Sequence, residues 1–286
     1  MSIAGLSLVL ASAFCHAVWN VLVKRINGGP ELIWLFSVLS VALYLPAAFW
    51  IVAFDKPVFG LWEAIFITGS ALLHLGYFLL LQTGYRKGDL SLVYPTARAT
   101  GPVLSTSFAV LFLGEVVSLQ MSVGAAITIS GVLMLTGGVE TGGAKRVSSS
   151  LPFGLGAGTL IGSYTAWDAY AVSVLFMPPL LLDYASSVGR VVLLAPIANR
   201  KRDRVRQHWR NHKAGIITIA IFSPLAYILV LHALTFTPVA YVAPTREVSV
   251  LLTVLAGSLL LGEGHLKRRL GWAAVILVGM VLLVSA

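Results

Sequence analysis

Charge is scarce in this sequence. Only 11% of its 286 residues are Asp, Glu, Lys or Arg, against about 25% in an ordinary soluble domain. A soluble chain of this length has no way to hide a 58% apolar composition, because small domains leave much of their surface in water. Disorder is excluded for the same reason. Cysteine is nearly absent: Cys15 stands alone, so there is no intramolecular disulfide and no cysteine metal cluster. There is no Gly-x-x-x-x-Gly-Lys-Ser/Thr run to cradle a nucleotide, no Gly-x-Ser-x-Gly and no His-Glu-x-x-His. Nothing calls for a cofactor, and an intramembrane enzyme lacks its nucleophile and its metal. What remains is an integral membrane protein.

What the chain has instead is apolar runs. A helix needs about 20 mostly apolar residues to cross a bilayer, and ten such runs are present: 3–23, 31–53, 61–84, 91–113, 120–139, 151–172, 175–198, 214–235, 239–262 and 270–286. Short breaks rich in Gly, Pro or charge separate them, such as Asn27-Gly28-Gly29-Pro30 and Arg86-Lys87-Gly88-Asp89. None is long enough for a soluble domain, and none of the runs has the alternation of a barrel strand. Ala11-Ser12-Ala13 imitates a signal-peptide cleavage site, but no basic segment precedes it and the run continues to Val23. It is expected to be a retained first helix.

The net charge of +9 is distributed as a membrane protein distributes it, which argues against nucleic acid as a partner. The breaks after runs 1, 3, 5, 7 and 9 hold 16 of the 20 Lys and Arg residues, seven of them between Arg200 and Lys213. The even breaks hold only Lys56; Arg98, Arg190 and Arg246 fall inside runs. The excess places the odd breaks in the cytoplasm and both termini outside it.

The chain also matches itself at an offset of 148 residues. Trp19-Asn20 falls on Trp167-Asp168, and Leu113-Gly114-Glu115 on Leu261-Gly262-Glu263. Tyr94-Pro95-Thr96-Ala97-Arg98 falls on Val242-Ala243-Pro244-Thr245-Arg246 with one residue deleted. Five crossings per copy force the second copy to enter from the opposite face, and the loops after runs 6 and 8 accordingly lose the Lys and Arg of their counterparts. The expectation is an all-α membrane fold of two inverted repeats, 1–143 and 144–286, with the substrate site between them. The ten runs, the duplication, the Pro-Thr entries near Arg98 and Arg246 and the Leu-Gly-Glu exits resemble the EamA-type members of the drug/metabolite transporter superfamily. His16-Ala17-Val18-Trp19-Asn20 with Lys24-Arg25 further resembles a branch of phosphonate-utilisation-associated membrane proteins. The resemblance implies proton- or gradient-driven export of small metabolites, amino acids or drugs across a cell membrane. It covers essentially the whole chain and says nothing specific about substrate. Many members are thought to have cytoplasmic termini, the opposite of the orientation the charges indicate here.

Ions inside a bilayer cost about 2.5–3.5 kcal/mol each on insertion scales, so they mark partners, water or function. Arg98 and Arg246 occupy equivalent places, each about 10 Å in from the start of its run, and together bracket the midplane. Each can offer a bidentate fork to a carboxylate or phosphonate; each can equally snorkel or pair with an acid to lock the bundle. Asp168 and Glu247 are candidate proton carriers, since burial and a neighbouring Arg act oppositely on a carboxyl and can leave it titratable. The counterpart of Asp168 is Asn20, which cannot titrate. Balancing an arginine is the plainer role for Asp168. Asp183 and Arg190 lie on one face of run 7 and read as a structural pair.

His16 and Asn20 share a face, and Trp19 matches Trp167 as Tyr77 matches Tyr227; these line a candidate substrate pocket, with packing as the plain alternative. His16, His74 and His232 lie on different runs without metal-ligand spacing, so no metal is assigned. Pro102 deprives the Arg98 carbonyl of its helical partner, which makes Gly101-Pro102 a candidate hinge or an ordinary kink. Gly154, Gly158 and Gly162 form a smooth packing face. Glu115 and Glu263 follow Gly C-caps and are candidate gates. The partners implied are a small polar, anionic or zwitterionic substrate and the bilayer, with a homodimer left open. A lipid or lipid-precursor flippase is the alternative function.

Overall fold

The computed structural model describes residues 1–87, 90–136, 144–252 and 266–286. Among them are ten α-helices and no strand. They are α1 (Ile3–Ile26), α2 (Pro30–Trp50), α3 (Leu61–Lys87), α4 (Leu90–Phe112), α5 (Leu119–Thr136), α6 (Ala144–Ser173), α7 (Pro179–Arg200), α8 (Arg202–Leu234), α9 (Val239–Arg246) and α10 (Leu266–Val284).

Local chemistry sets the helix ends. Ser2 caps α1, its Oγ accepting from the Gly5 N–H at 3.1 Å. Asn27 closes α1 in the left-handed region at φ 51°, and its N–H donates to the Val23 carbonyl. Pro30 then opens α2, where its missing N–H costs nothing. Gly114, at φ +68°, ends the α4 turn, and the N–H groups of Leu113 and Glu115 both donate to the Ala109 carbonyl.

Two elements differ from the sequence expectation. The basic stretch from Arg202 onward is helical rather than a loop. No Gly or Pro interrupts it before Gly215, so it joins α8 through a bend at His212 (φ −136°, ψ 29°). The ninth run is broken: α9 stops at Arg246, Glu247 lies outside it, and helical backbone resumes over 248–252. Pro244 removes the N–H that would have bonded the Ala240 carbonyl, and the chain crosses the gap with two tight bonds, Glu247 N–H to Pro244 O (3.1 Å) and Val250 N–H to Glu247 O (2.9 Å). α4, in contrast, stays helical through Gly101-Pro102.

The packing has the pattern of a twofold axis relating the repeats. α1 lies on α8 as α3 lies on α6, and α2 on α8 as α3 on α7. α2, α4 and α5 each meet their own counterpart, α7, α9 and α10. The Met1 ammonium donates to the Val284 carbonyl at 3.3 Å, so both termini share one end of the bundle. At the other end, Lys201 Nζ reaches Glu31 Oε2 at 3.1 Å, which brings the basic breaks after α1 and α7 to the same end. Five described helices are long and apolar enough to cross a membrane, and large apolar side chains such as Phe49, Trp50, Leu72 and Leu111 face outward, as lipid contact requires.

Close helix contact rests on glycine. A Cβ on Gly158 of α6 would lie 2.5 Å from the Thr100 Cβ and 2.9 Å from the Ala97 carbonyl oxygen of α4. Gly154 and Gly162 meet Thr96 and Leu104 equally closely. Gly158→Leu must therefore push α4 and α6 apart, an overpacking cost of about 1–3 kcal/mol or more. The expected result is a lower yield of monodisperse protein and a lower melting midpoint in detergent, whereas Gly271→Ala, with open space around its Cβ, leaves both unchanged.

Candidate functional site

The buried polar side chains gather where the broken α9 crosses α1, α4 and α6. Glu247 sits at the interruption, 1% exposed. Arg98 of α4 places its Nε 3.0 Å from Glu247 Oε2, and its Nη2–H donates to Ser249 Oγ at 3.1 Å. A buried ion pair thus ties the fourth helix to the break.

Arg246 has no such partner. Its guanidinium is 3% exposed, donates one long hydrogen bond, Nη2–H to Thr165 Oγ1 at 3.4 Å, and leaves its Nε unsatisfied. Among the described residues no carboxylate lies within 4 Å of it. The repeat explains the imbalance. Glu247 follows Arg246 and pairs across the axis with Arg98. The position after Arg98 is Ala99, so no reciprocal acid reaches Arg246.

Asp168 of α6 is fully buried. The Tyr227 hydroxyl of α8 donates to its Oδ2 at 2.6 Å, and His74 Nε2 of α3 lies 3.9 Å from the same oxygen; its Oδ1 has no hydrogen-bond partner. His74 Nδ1–H donates to the Ser70 carbonyl at 2.9 Å. A carbonyl only accepts, so a neutral His74 carries its proton on Nδ1 and turns a bare Nε2 toward Asp168. Tyr164 stacks on His74 at 4.0 Å between ring centroids, and Tyr77 and Tyr227 meet Tyr164 edge-on at 5.8 and 6.1 Å. On α1, Trp19 Nε1–H donates to His16 Nδ1 at 3.0 Å. That assigns the neutral ring's proton to His16 Nε2, which is buried without a partner in the field of Arg246 and Arg98.

Most of the sequence-selected residues therefore converge on one region: His16, Trp19, Tyr77, Arg98, Asp168, Tyr227, Arg246 and Glu247. Asn20 lies one helical turn beyond His16, half-buried. Trp167 turns the other way. Its Nε1–H donates to the Phe66 carbonyl at 2.9 Å, its ring stacks on Phe66, and it fills the space left by Gly69. Gly101 packs against Ile161, and the Pro102 carbonyl accepts from Ser105 Oγ. Arg190 Nη2–H donates to Ser187 Oγ at 2.7 Å, and among the described residues no ion pair within 4 Å joins Arg190 to Asp183. His232 is exposed near the end of α8. Four site residues escaped the sequence reading. Tyr164 was findable, since it falls 148 residues after His16. Ser70, Thr165 and Ser249 carry no local signal, because a hydroxyl in a membrane helix commonly bonds its own backbone.

Glu115 has a defined task. Its Oε1 and Oε2 accept from the N–H groups of Val239 and Ala240 at 2.7 and 2.9 Å, capping α9 with a full negative charge where the helix dipole is positive. Loss of a cap costs about 0.5–2 kcal/mol. Glu115→Ala is expected to lower the melting midpoint accordingly, with Glu115→Gln in between. Glu263, its counterpart, lies outside the described residues.

Comparison with known proteins adds three findings. Residues 3–137 and 148–285 each match the model of the EamA-like transporter family. No curated protein matches the chain significantly. One solved crystal structure superposes with a TM-score of 0.72 at 11% identity, covering 99% of this chain and 96% of the other; at that identity the likeness speaks for the fold alone.

Proposed function

The chain belongs to the EamA-like transporter family and is thus a membrane transporter of the drug/metabolite type, and from that premise we propose that it is a secondary active exporter. Its cargo is a small metabolite with an anionic group, alone or in a zwitterion. The observation that carries this reading is the buried Arg246 guanidinium with one long hydrogen bond and, among the described residues, no acid within 4 Å. A buried charge in that condition is costly unless something pairs with it. A carboxylate or phosphonate supplies two acceptors to the fork, and His16 Nε2–H supports it from α1. Arg98, held by Glu247, contributes field rather than a free fork. Asn20, Tyr77, Trp19 and Tyr227 shape the pocket, with Trp167 acting from behind through α3.

Asp168 is the proton carrier of this cycle, with Glu247 as the second acid. The working units are residues 1–143 and 144–286, which rock about their shared axis with the α9 break and Gly101-Pro102 as the compliant points. Glu115, which caps α9, acts as a gate, and its sequence counterpart Glu263 has the same role in the second repeat. The Lys and Arg bias supports a cytoplasmic membrane with both termini outside.

The experiment is an untargeted comparison of medium and cell-extract metabolites from cells expressing the native protein or an equally abundant Arg246→Met variant. A carboxylate or phosphonate enriched outside and depleted inside only with the native protein supports the proposal. No difference between two folded proteins overturns export. A substrate without an anionic group overturns the role of Arg246.

A further inference from the structure

At the end of the bundle away from the termini, α2, α7 and the basic start of α8 line an open cleft that shares no residue with the buried charge cluster. Its volume is about 610 Å³, within the range of about 300–1,000 Å³ typical of small-molecule sites. One wall is apolar, from Trp34, Val192 and Pro196; the rim is polar, from Asn199, Arg202 and Arg206. From this arrangement we propose that the cleft is a binding site for one anionic glycerophospholipid, with the phosphate on Arg202 and Arg206 and the upper acyl chain against the apolar wall.

Four observations support that occupant. First, the basic helix uses its two faces differently. Lys201, Arg204 and His208 turn toward Glu31, at 3.1, 3.9 and 4.0 Å, which fixes the helix against the start of α2. Arg202 and Arg206 lie on the cleft side, and among the described residues no carboxylate lies within 4 Å of either. Second, these two arginines are four residues apart on a helix, so their charges repel until an anion sits between them. Arg202 Nε–H donates to Asn199 Oδ1, which orients that guanidinium. Third, Trp34, Val192, Ala195 and Pro196 set an apolar surface directly beside the two arginines. Fourth, the apolar wall leads to Val192 and Leu193, both exposed to the bilayer side of α7. A free phosphate has nothing to bury there, whereas an acyl chain does.

The probe is phosphatidylglycerol with brominated acyl chains, which quench tryptophan fluorescence on contact, titrated into the purified full-length protein in detergent. Brominated phosphatidylcholine is the neutral-headgroup control, and Trp34→Phe isolates the signal of the cleft. The expected result is a saturable, phosphatidylglycerol-specific component of quenching, over the background from lipid-facing tryptophans such as Trp50, that is absent in Trp34→Phe and much weaker with phosphatidylcholine. Each interfacial arginine strengthens binding to an anionic headgroup about fivefold, so Arg202→Gln/Arg206→Gln is expected to weaken it by about 20–30-fold. Equal quenching by the two lipids overturns the charge recognition. Displacement of the lipid by millimolar inorganic phosphate assigns the arginines to free phosphate and overturns the lipid. A saturable phosphatidylglycerol-specific component that survives Trp34→Phe overturns the location. Should the arginine variant fail to fold, the lipid pair and Trp34→Phe still decide.

Discussion

Arg246→Met is expected to abolish substrate transport while leaving the protein folded. The two halves of that statement have separate causes. The guanidinium makes one 3.4 Å hydrogen bond to Thr165 and, among the described residues, has no acid within 4 Å, so methionine of similar length breaks no close ion pair. The substrate's anion, in the role proposed for Arg246, loses the fork that binds it. Removing one side of a buried charge pair costs about 2–5 kcal/mol, which is roughly 30- to 4,000-fold in affinity. Arg246→Lys keeps the charge but not the fork and is expected to fall between. Arg98→Met is the informative contrast. It leaves Glu247 buried without its close ion-pair partner, a destabilisation of up to about 3–5 kcal/mol, and Glu247→Gln in the same chain should recover much of the lost folding. Melting midpoints with substrate-dependent shifts distinguish the two arginines. If Arg246→Met loses stability as Arg98→Met does, Arg246 is a structural group and the pocket assignment fails.

That contrast shows how far the sequence was legible. The offset of 148 residues picked out Arg98 and Arg246 as equivalents, and the same register holds the reason they are not: Glu247 follows one and Ala99 the other. Which acid meets which arginine required the fold, because Glu247 pairs across the axis with a residue 149 positions away. The break in the ninth run was not legible from proline alone. Proline occurs in both Pro-Thr motifs and again at Pro102, but only the chain after Pro244 leaves the helix, at a carboxylate drawn toward Arg98. The tryptophans show another limit. Trp19 and Trp167 are equivalent in sequence, yet Gly69 gives Trp167 a slot on α3 while Trp19 bonds His16 on its own helix. Equivalence in a repeat predicts position on a helix, and the opposing helix decides what the side chain touches.

Asp168→Asn is expected to uncouple transport from the proton gradient without preventing substrate binding. Asp168 is fully buried, Tyr227 and His74 both approach its Oδ2, and its Oδ1 is unsatisfied. Asparagine preserves the shape, keeps an acceptor for Tyr227 and removes the titration. Concentrative transport should disappear, while exchange of labelled for unlabelled substrate across vesicles continues. The pH dependence of binding then reveals the stoichiometric logic. If the substrate is a zwitterion whose ammonium occupies Oδ1, ammonium and proton compete for one carboxylate. Apparent affinity then rises with pH, by up to about tenfold per unit where the group titrates, and proton entry drives substrate exit. If the substrate is a pure anion on Arg246, proton and anion assist each other, because protonation removes a repulsion. Affinity then rises as pH falls, and an inward proton gradient drives uptake. In Asp168→Asn both slopes vanish. A binding curve that strengthens with pH in the native protein and is flat in the variant therefore supports export of a zwitterion. The opposite slope reverses the direction assigned to the transporter, and an unchanged slope in Asp168→Asn moves proton coupling to Glu247 or His74.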